Sequence, residues 1–394
     1  MTDDKRLPLP EFIALVAMNF AMVAFSVDGM LPALPEIAAE ISPEDRNRAQ
    51  LVLTSFVLGM GVGTLFAGPL SDTFGRKPVI LAGAGLFVLG AGLAANAQTM
   101  DQMIAARILQ GLGVSGPRIV TLAIVRDLYE GRRMAQIMSY AMLIFTLVPA
   151  AAPYMGALII DAYGWRAVFV AFILFCVIVT GWMGLRQPET LPHERRRDFR
   201  PASLWAATKE CFSNRAFTLS TAAQVMTYGI LFGDLSSVQQ IFDEIYGRSE
   251  TFPEWFALVA LLGGVASIIN ARVVMAIGMR RMIEIGMGGQ AILSVIVLIL
   301  ATTNGVPFAV FLVWNVSIFF MAGLVIGNLN AMAMEPVGHI AGLASSVIGA
   351  VATVLGVALA IPLGLMFNGT LVPLAGGILV LSLAGFGLIR KGLR

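Results

Sequence analysis

Residues 68–77 read Gly68-Pro69-Leu70-Ser71-Asp72-Thr73-Phe74-Gly75-Arg76-Lys77, a short polar stretch between two apolar runs, 50–71 and 78–98. Each run has the roughly 20 residues a helix needs to cross a bilayer core. The stretch reads as a tight loop at a membrane surface. Its glycines allow a sharp turn and close helix approach. Asp72 suits a helix N-terminus or an arginine partner. A weaker copy, Gly278-Met279-Arg280-Arg281, follows a later run, with Met275 where the first copy has Asp72. Working outward, the pattern repeats along the chain. We expect twelve spans: 11–35, 50–71, 78–98, 102–125, 134–160, 164–186, 216–242, 254–276, 282–303, 305–332, 341–366 and 369–389. They are continuous runs rich in Leu, Ala, Gly and Val, so they read as helices and not as the alternating strands of an outer-membrane barrel. The first is too long for a signal-peptide core and lacks a convincing cleavage site, so it is expected to be retained.

Composition agrees. Of 394 residues, 58% are hydrophobic and 13% charged, about half the roughly 25% charged share of soluble domains. Mean hydropathy is +0.83. A disordered chain, a coiled coil and an ordinary soluble enzyme are excluded, and a net charge of +2 is too small for a nucleic-acid partner. Cys176 and Cys211 lack metal-ligand spacing and read as buried thiols. His193 and His339 fall in loop-like segments, which leaves a zinc site or a Ser-His-Asp centre without support.

Lysine and arginine placement sets the orientation. Of the 26, Arg107 and Arg118 lie within a span, and only Arg46, Arg48, Arg166 and Arg248 fall on one side. The rest, including Lys5, Arg6, Arg197, Arg200 and Arg394, crowd the other. Both termini are therefore expected in the cytoplasm. The longest polar stretch, 187–214, holds Glu194-Arg195-Arg196-Arg197-Asp198 and a short amphipathic helix around Leu204, Trp205 and Phe212. It divides the chain into a six-helix bundle over 1–186, a cytoplasmic linker over 187–214 and a second bundle over 215–394. This all-helical arrangement resembles that of the major facilitator transporters, whose substrate site lies between the halves near the midplane.

Four ionisable residues lie well inside spans: Asp28, Arg107, Arg118 and Asp234. Such residues are costly and mark functional sites or partners. By helical rise, Asp28 and Arg107 both lie roughly 8–10 Å below the same membrane edge, so a salt bridge is within reach. A carboxylate that exchanges partners as it takes a proton couples proton movement to conformation; the structural alternative is a static ion pair. Arg118 follows Arg107 by eleven residues, which is about 20° past three full turns, so both share one face. It suits an anionic substrate group or a structural bridge. Asp234 lies at a depth similar to Asp28 and suits a second proton site or an extracellular gate. Further cavity-lining candidates are Asn19, Tyr140, Gln224, Tyr228, Trp314, Asn315 and Asn328. The 21 methionines suit an adaptable apolar wall.

The 68–77 stretch resembles the major facilitator signature G-x-L-x-D-x-x-G-R-[RK]. That resemblance implies a conformational latch formed by Gly68, Asp72, Gly75, Arg76 and Lys77, with Arg126 or the start of the eleventh helix near Ala341 as partner. Arg107-Ile108-Leu109-Gln110-Gly111-Leu112-Gly113 resembles R-x-x-Q-G-x-G, linked in the superfamily to proton transfer. Gly111 to Gly116 also spells G-x-G-x-x-G, but a dinucleotide site needs a strand before it, so these glycines read as helix packing. Pro149-Ala150-Ala151-Ala152-Pro153-Tyr154-Met155-Gly156 resembles the antiporter signature, in which Pro149 and Pro153 bend the helix. Asp28 to Pro35 resembles D-M-Y-L-P-A-L-P, with Gly29 and Met30 replacing Met-Tyr. Arg126-Asp127-Leu128-Tyr129, Gly164 to Phe169, Pro188-Glu189-Thr190-Leu191-Pro192 and Gly338 to Ser346 follow in order. Together these resemble the Bcr/CflA drug-resistance family over nearly the whole chain. A relative's arginine five residues before the Arg-Asp aspartate is here Leu122, with Arg118 one turn earlier.

The resemblance implies a proton-coupled exporter of hydrophobic small molecules such as chloramphenicol or bicyclomycin, working by alternating access. It implies a monomer in the bacterial inner membrane that uses the proton gradient and no cofactor. The nearest rival is an exporter of a native metabolite, such as an amino acid, a sugar or an anionic compound. A membrane enzyme lacks H-E-x-x-H, G-x-S-x-G and any histidine in a span, and a sensor lacks an added soluble domain.

Overall fold

The computed structural model describes residues 7–196, 199 and 201–392. Lys5, Arg6, Arg197, Arg200 and Arg394 of the charge pattern lie outside these. The described chain is helical. The helices are α1 (Leu9–Asp28), α2 (Leu34–Ile41), α3 (Leu51–Phe74), α4 (Arg76–Ala95), α5 (Met100–Leu128), α6 (Gly131–Tyr163) and α7 (Arg166–Arg186). After the linker come α8 (Pro201–Ser213), α9 (Arg215–Gln240), α10 (Phe252–Ile277), α11 (Met279–Thr303), α12 (Phe308–Met334), α13 (Ala341–Leu365) and α14 (Val372–Gly392). Helices α2 and α8 are short; the other twelve correspond to the expected spans. Among the described residues, nine stretches are long and apolar enough to cross a membrane, one of which, Phe308–Leu365, takes in both α12 and α13. Helix α6 enters only through a shorter apolar part, Leu147–Tyr163, and helix α9 falls outside them. Its sequence carries Gln224, Asp234, Ser236, Ser237 and Gln239, all buried inside the protein, so the polarity that lowers its hydropathy faces protein.

Two expectations are corrected. The first span, expected unbroken over 11–35, stops at Asp28; a turn over Leu31–Ala33 follows, then α2. Pro32 and Pro35 supply no backbone N–H to continue a ladder, and both sit in the first turn of the pieces they begin. The 68–77 stretch, expected as a loop, is helical as far as Phe74, with Pro69 inside α3. The reversal is confined to Gly75, at φ 102°, a left-handed conformation that favours glycine. Its later copy, Gly278, has φ 82° and likewise precedes a helix.

The chain forms two compact units: Met1–Ser42 with Ser55–Arg200, and Pro43–Thr54 with Pro201–Arg394. In the first unit α4 packs on α5 and α7, and α1 on α5, α6 and α7. Phe12, Leu15, Val16, Ile80, Val120, Ile124 and Met183 form an apolar cluster there. Glycines bring backbones together: a Cβ on Gly111 of α5 would lie 2.0 Å from the Phe56 carbonyl oxygen of α3. In the second unit α9 packs on α12, α13 and α14, α10 on α12, and α11 on α12 and α14. Helix α8 lays Leu204, Ala207 and Cys211 inward and leaves Trp205 71% exposed.

Segment Pro43–Thr54 enters the second unit through a polar knot. Asn47 donates to the carbonyls of Leu365 (3.2 Å) and Phe367 (2.8 Å). Gln240 donates to Asn47 and Glu244, both at 2.9 Å, and Ser237 donates to Gln50 at 3.2 Å.

Candidate functional site

Asp28 is the last residue of α1 and is buried. The helix closes just beyond it, with Gly29 N–H donating to the Phe25 carbonyl at 3.0 Å. The Phe25 ring meets Phe172 and Phe175 edge-on at 5.1 and 5.7 Å. Gly156, from the proline-rich stretch of α6, lies against Gly29: a Cβ there would sit 2.2 Å from the Gly29 carbonyl oxygen. The antiporter-like stretch therefore packs by bare backbone beside Asp28. Pro153 and Gly156 are buried, Pro149 is half-buried, and Tyr154 is exposed.

Arg107 is fully buried on α5. Its guanidinium donates to the Gln110 side-chain oxygen at 2.7 Å and to the Ser26 carbonyl at 3.0 Å. It lies 4.4 Å over the Phe56 ring centre and 5.8 Å from that of Phe169, a setting in which ring faces stabilise a desolvated cation. The arginine thus meets α1 at a backbone carbonyl two residues before Asp28. Arg118 is half-buried further along α5. Asn19 is buried and faces α7, donating to the Leu15 carbonyl at 2.8 Å and the Met183 sulfur at 3.6 Å. Tyr140 is exposed on α6.

At the α3–α4 turn, Arg76 gathers the signature residues. It pairs with Asp72 and, at 2.9 Å, with Asp127, and donates to Ser71 at 2.8 Å. Of the expected partners of Asp72, Arg126 is exposed; within this unit Asp72 is held by Arg76, one turn away. Glu189, which lies outside the site expected from the sequence, belongs to it. Its carboxylate accepts from the backbone N–H groups of Arg76 and Lys77, both at 3.0 Å, and of Leu191 at 2.9 Å. A carboxylate there satisfies orphan donors at the start of α4 and complements its dipole. Thr190 adds a bond to Asp127 at 2.8 Å. The Pro188-to-Pro192 stretch carried the only signal, through its family resemblance.

In the second unit Asp234 of α9 and Asn315 of α12 are both fully buried. The Asn315 amide nitrogen donates to both carboxylate oxygens, at 2.8 and 2.9 Å. Neighbouring Trp314 turns to α11, donating to Ser294 at 3.1 Å. Gln224 is buried ten residues before Asp234, and its side-chain oxygen has no hydrogen-bond partner. Tyr228 is half-buried, 5.4 Å from the Phe232 ring. Asn328 donates to Asn270 at 2.7 Å. Of the expected cavity residues, the structure thus bonds Asp234 to Asn315, while Asn19, Arg118 and Tyr140 belong to the other unit. Among the described residues no cluster of metal-ligating side chains occurs, and Cys176 and Cys211 are buried free thiols.

Comparison with known proteins matches this arrangement to a family. The model of the Major Facilitator Superfamily matches residues 16–361. An uncharacterised MFS-type transporter of Bacillus subtilis, YdgK, is 29% identical, covering 99% of this chain and 97% of its own. The bicyclomycin resistance protein homolog of Haemophilus influenzae is 30% identical, covering 86% and 85%. The multidrug resistance protein MdtL of Escherichia coli is 27% identical, covering 84% and 83%. Among solved structures, the E. coli xylose transporter XylE in a partially occluded inward-open state aligns with a TM-score of 0.75 at 12% identity, covering 97% of each chain. The human organic anion transporter MFSD10 aligns with a TM-score of 0.69 at 16% identity, covering 98% of this chain and 100% of its own. These two show likeness of fold. With spans, signatures and relatives in agreement, the chain is a multi-pass membrane transporter that belongs to the major facilitator superfamily and, within it, to the Bcr/CflA family.

Proposed function

We propose that the protein is a proton-coupled exporter of hydrophobic small molecules, of the chloramphenicol or bicyclomycin kind, working by alternating access. The observation that carries the reading is Asp28, a buried carboxyl at the broken end of α1, with the Gly156 backbone against its neighbour Gly29. A carboxyl at a helix break can change partners with little disturbance of the ladder behind it. The names of the relatives, bicyclomycin resistance and multidrug resistance, support the substrate class. In this reading Asp28 takes a proton from the outer side and releases it toward the cytoplasm. Arg107 holds the backbone around it. The inward proton supplies about 2.3 kcal/mol per 100 mV of membrane potential, and no cofactor is needed. The transporter works as a monomer in the bacterial inner membrane, with both termini cytoplasmic, as the lysine and arginine bias supports.

The test is a susceptibility panel in a pump-deficient host, comparing wild type with Asp28→Asn at matched membrane expression. Chloramphenicol, bicyclomycin, a fluoroquinolone and a lipophilic cation form the panel. Resistance that disappears in the variant supports the reading, and an Asp28→Asn protein that still confers it refutes the coupling role. Arg118, a half-buried cation on α5, favours a second reading, export of an anionic metabolite. No resistance to any compound, with uptake of organic anions into inverted vesicles, would establish that reading.

A further inference from the structure

Asp234 is the only charged side chain buried in the second unit among the described residues. A buried carboxyl needs a positive partner or a proton. The charged groups on the elements packed against α9 stand at element ends: Asp243 and Glu244 in the turn after it, Lys209 and Glu210 on α8, Glu335 and His339 before α13, Arg390 and Lys391 at the end of α14, and Glu44, Asp45, Arg46 and Arg48 on the segment whose Asn47 and Gln50 bond Gln240 and Ser237. The nearest in sequence, Asp243, lies nine residues on, about 13 Å along a helix. Among the described residues Asp234 bonds to a neutral partner, the Asn315 amide.

That amide is used unevenly. Its nitrogen forks over both carboxylate oxygens, while its own oxygen, Oδ1, is buried with no hydrogen-bond partner. The unused capacity of the pair is therefore all acceptor. What completes it is a positively charged donor. Both side chains have 0% exposure, so nothing the size of a water molecule touches either. A sodium ion or an ammonium group would need a void. A proton needs none.

We propose that Asp234 and Asn315 form a second proton-binding site, separate from Asp28, so that each half of the transporter carries one proton. The proton, delivered by water when the pair is opened, forms an O–H bond on one carboxyl oxygen. That hydroxyl donates to Asn315 Oδ1 while Asn315 Nδ2 continues to donate to the other oxygen. The result is a cyclic acid–amide pair in which the orphaned oxygen is satisfied. Only its consequence, two protons moved per cycle, rests on the exporter reading above.

The experiment is infrared difference spectroscopy of the full-length protein in lipid, between acidic and alkaline buffer, for wild type, Asp234→Asn and Asn315→Leu. Asp234→Asn preserves shape with an amide–amide pair. The wild type should show the carbonyl stretch of a protonated acid that is lost in Asp234→Asn. In Asn315→Leu the band should shift upward in frequency, because its hydrogen bonds to the amide are gone. An unchanged acid-carbonyl spectrum in Asp234→Asn overturns the proposal. So does a band removed by raising sodium at constant pH, which would make the pair a metal-ion site. A separate band lost in Asp28→Asn reports on the exporter reading, so the two fail independently.

Discussion

The contact between Gly156 and Gly29 makes a quantitative prediction for Gly156→Ala. The added Cβ would lie 2.2 Å from the Gly29 carbonyl oxygen and 3.1 Å from its carbon. Carbon and carbonyl oxygen ordinarily meet at about 3.3 Å, so the overlap is about 1 Å. The atoms it meets are all backbone, and no rotamer change relieves them. Helices α1 and α6 must separate, or the turn after Asp28 must shift. Overpacking of this kind costs about 1–3 kcal/mol, and alanine's better helix propensity returns up to about 1 kcal/mol. Gly92→Ala on α4 is the control, because a Cβ there meets nothing within 4 Å. The assay is thermal unfolding of purified protein, followed by intrinsic fluorescence, with drug efflux measured in proteoliposomes. Gly156→Ala should melt lower than Gly92→Ala and lose most of its efflux, because the displaced backbone carries Asp28. If both variants melt and transport alike, the close approach at Gly156 does not position Asp28.

Three other outcomes are expected. Asp28→Asn should abolish substrate accumulation against a gradient while leaving expression and melting near wild type, as read by efflux from energised cells. Glu189→Gln should weaken the cap on α4 and lower stability by about 0.5–2 kcal/mol, read as a drop in melting temperature; equal melting would mean the carboxylate charge adds nothing. Burial, followed by the nearby Glu210 charge, pushes the Cys211 thiol above its ordinary range. Maleimide labelling of the native protein should therefore be slow at neutral pH, faster as pH rises, and complete only after denaturation; rapid labelling of native Cys211 at neutral pH contradicts this.

Hydropathy made the helices legible because a span must be long and apolar, and those are properties of consecutive residues. The interruption at Asp28 was less so: Gly29, Pro32 and Pro35 announce a weak ladder, but membrane helices often carry prolines through. The extent of α3 was hidden for the opposite reason. Polar Ser71 and Asp72 look like a loop, yet they extend the helix, because Arg76 folds back onto both. Partner choice was the least accessible. Depth placed Arg107 level with Asp28, but depth says nothing of azimuth, and it did not announce the bond from the guanidinium to the Ser26 carbonyl or the two rings beside it. Glu189 reaches Arg76 across more than a hundred residues of chain, and no local pattern encodes that meeting. Asp234 and Asn315 were each conspicuous as polar residues in apolar runs, and only the packing of α9 on α12 joined them.

The polar knot around Asn47 and Gln50 has a genetic consequence. The second unit is not encoded by one continuous stretch, since residues 43–54 come from the other end of the gene. A fragment beginning at the linker would leave Gln240 without Asn47 and the carbonyls of Leu365 and Phe367 without their donor. A gene divided at the linker should therefore yield a second fragment that matures only when the first is made alongside it.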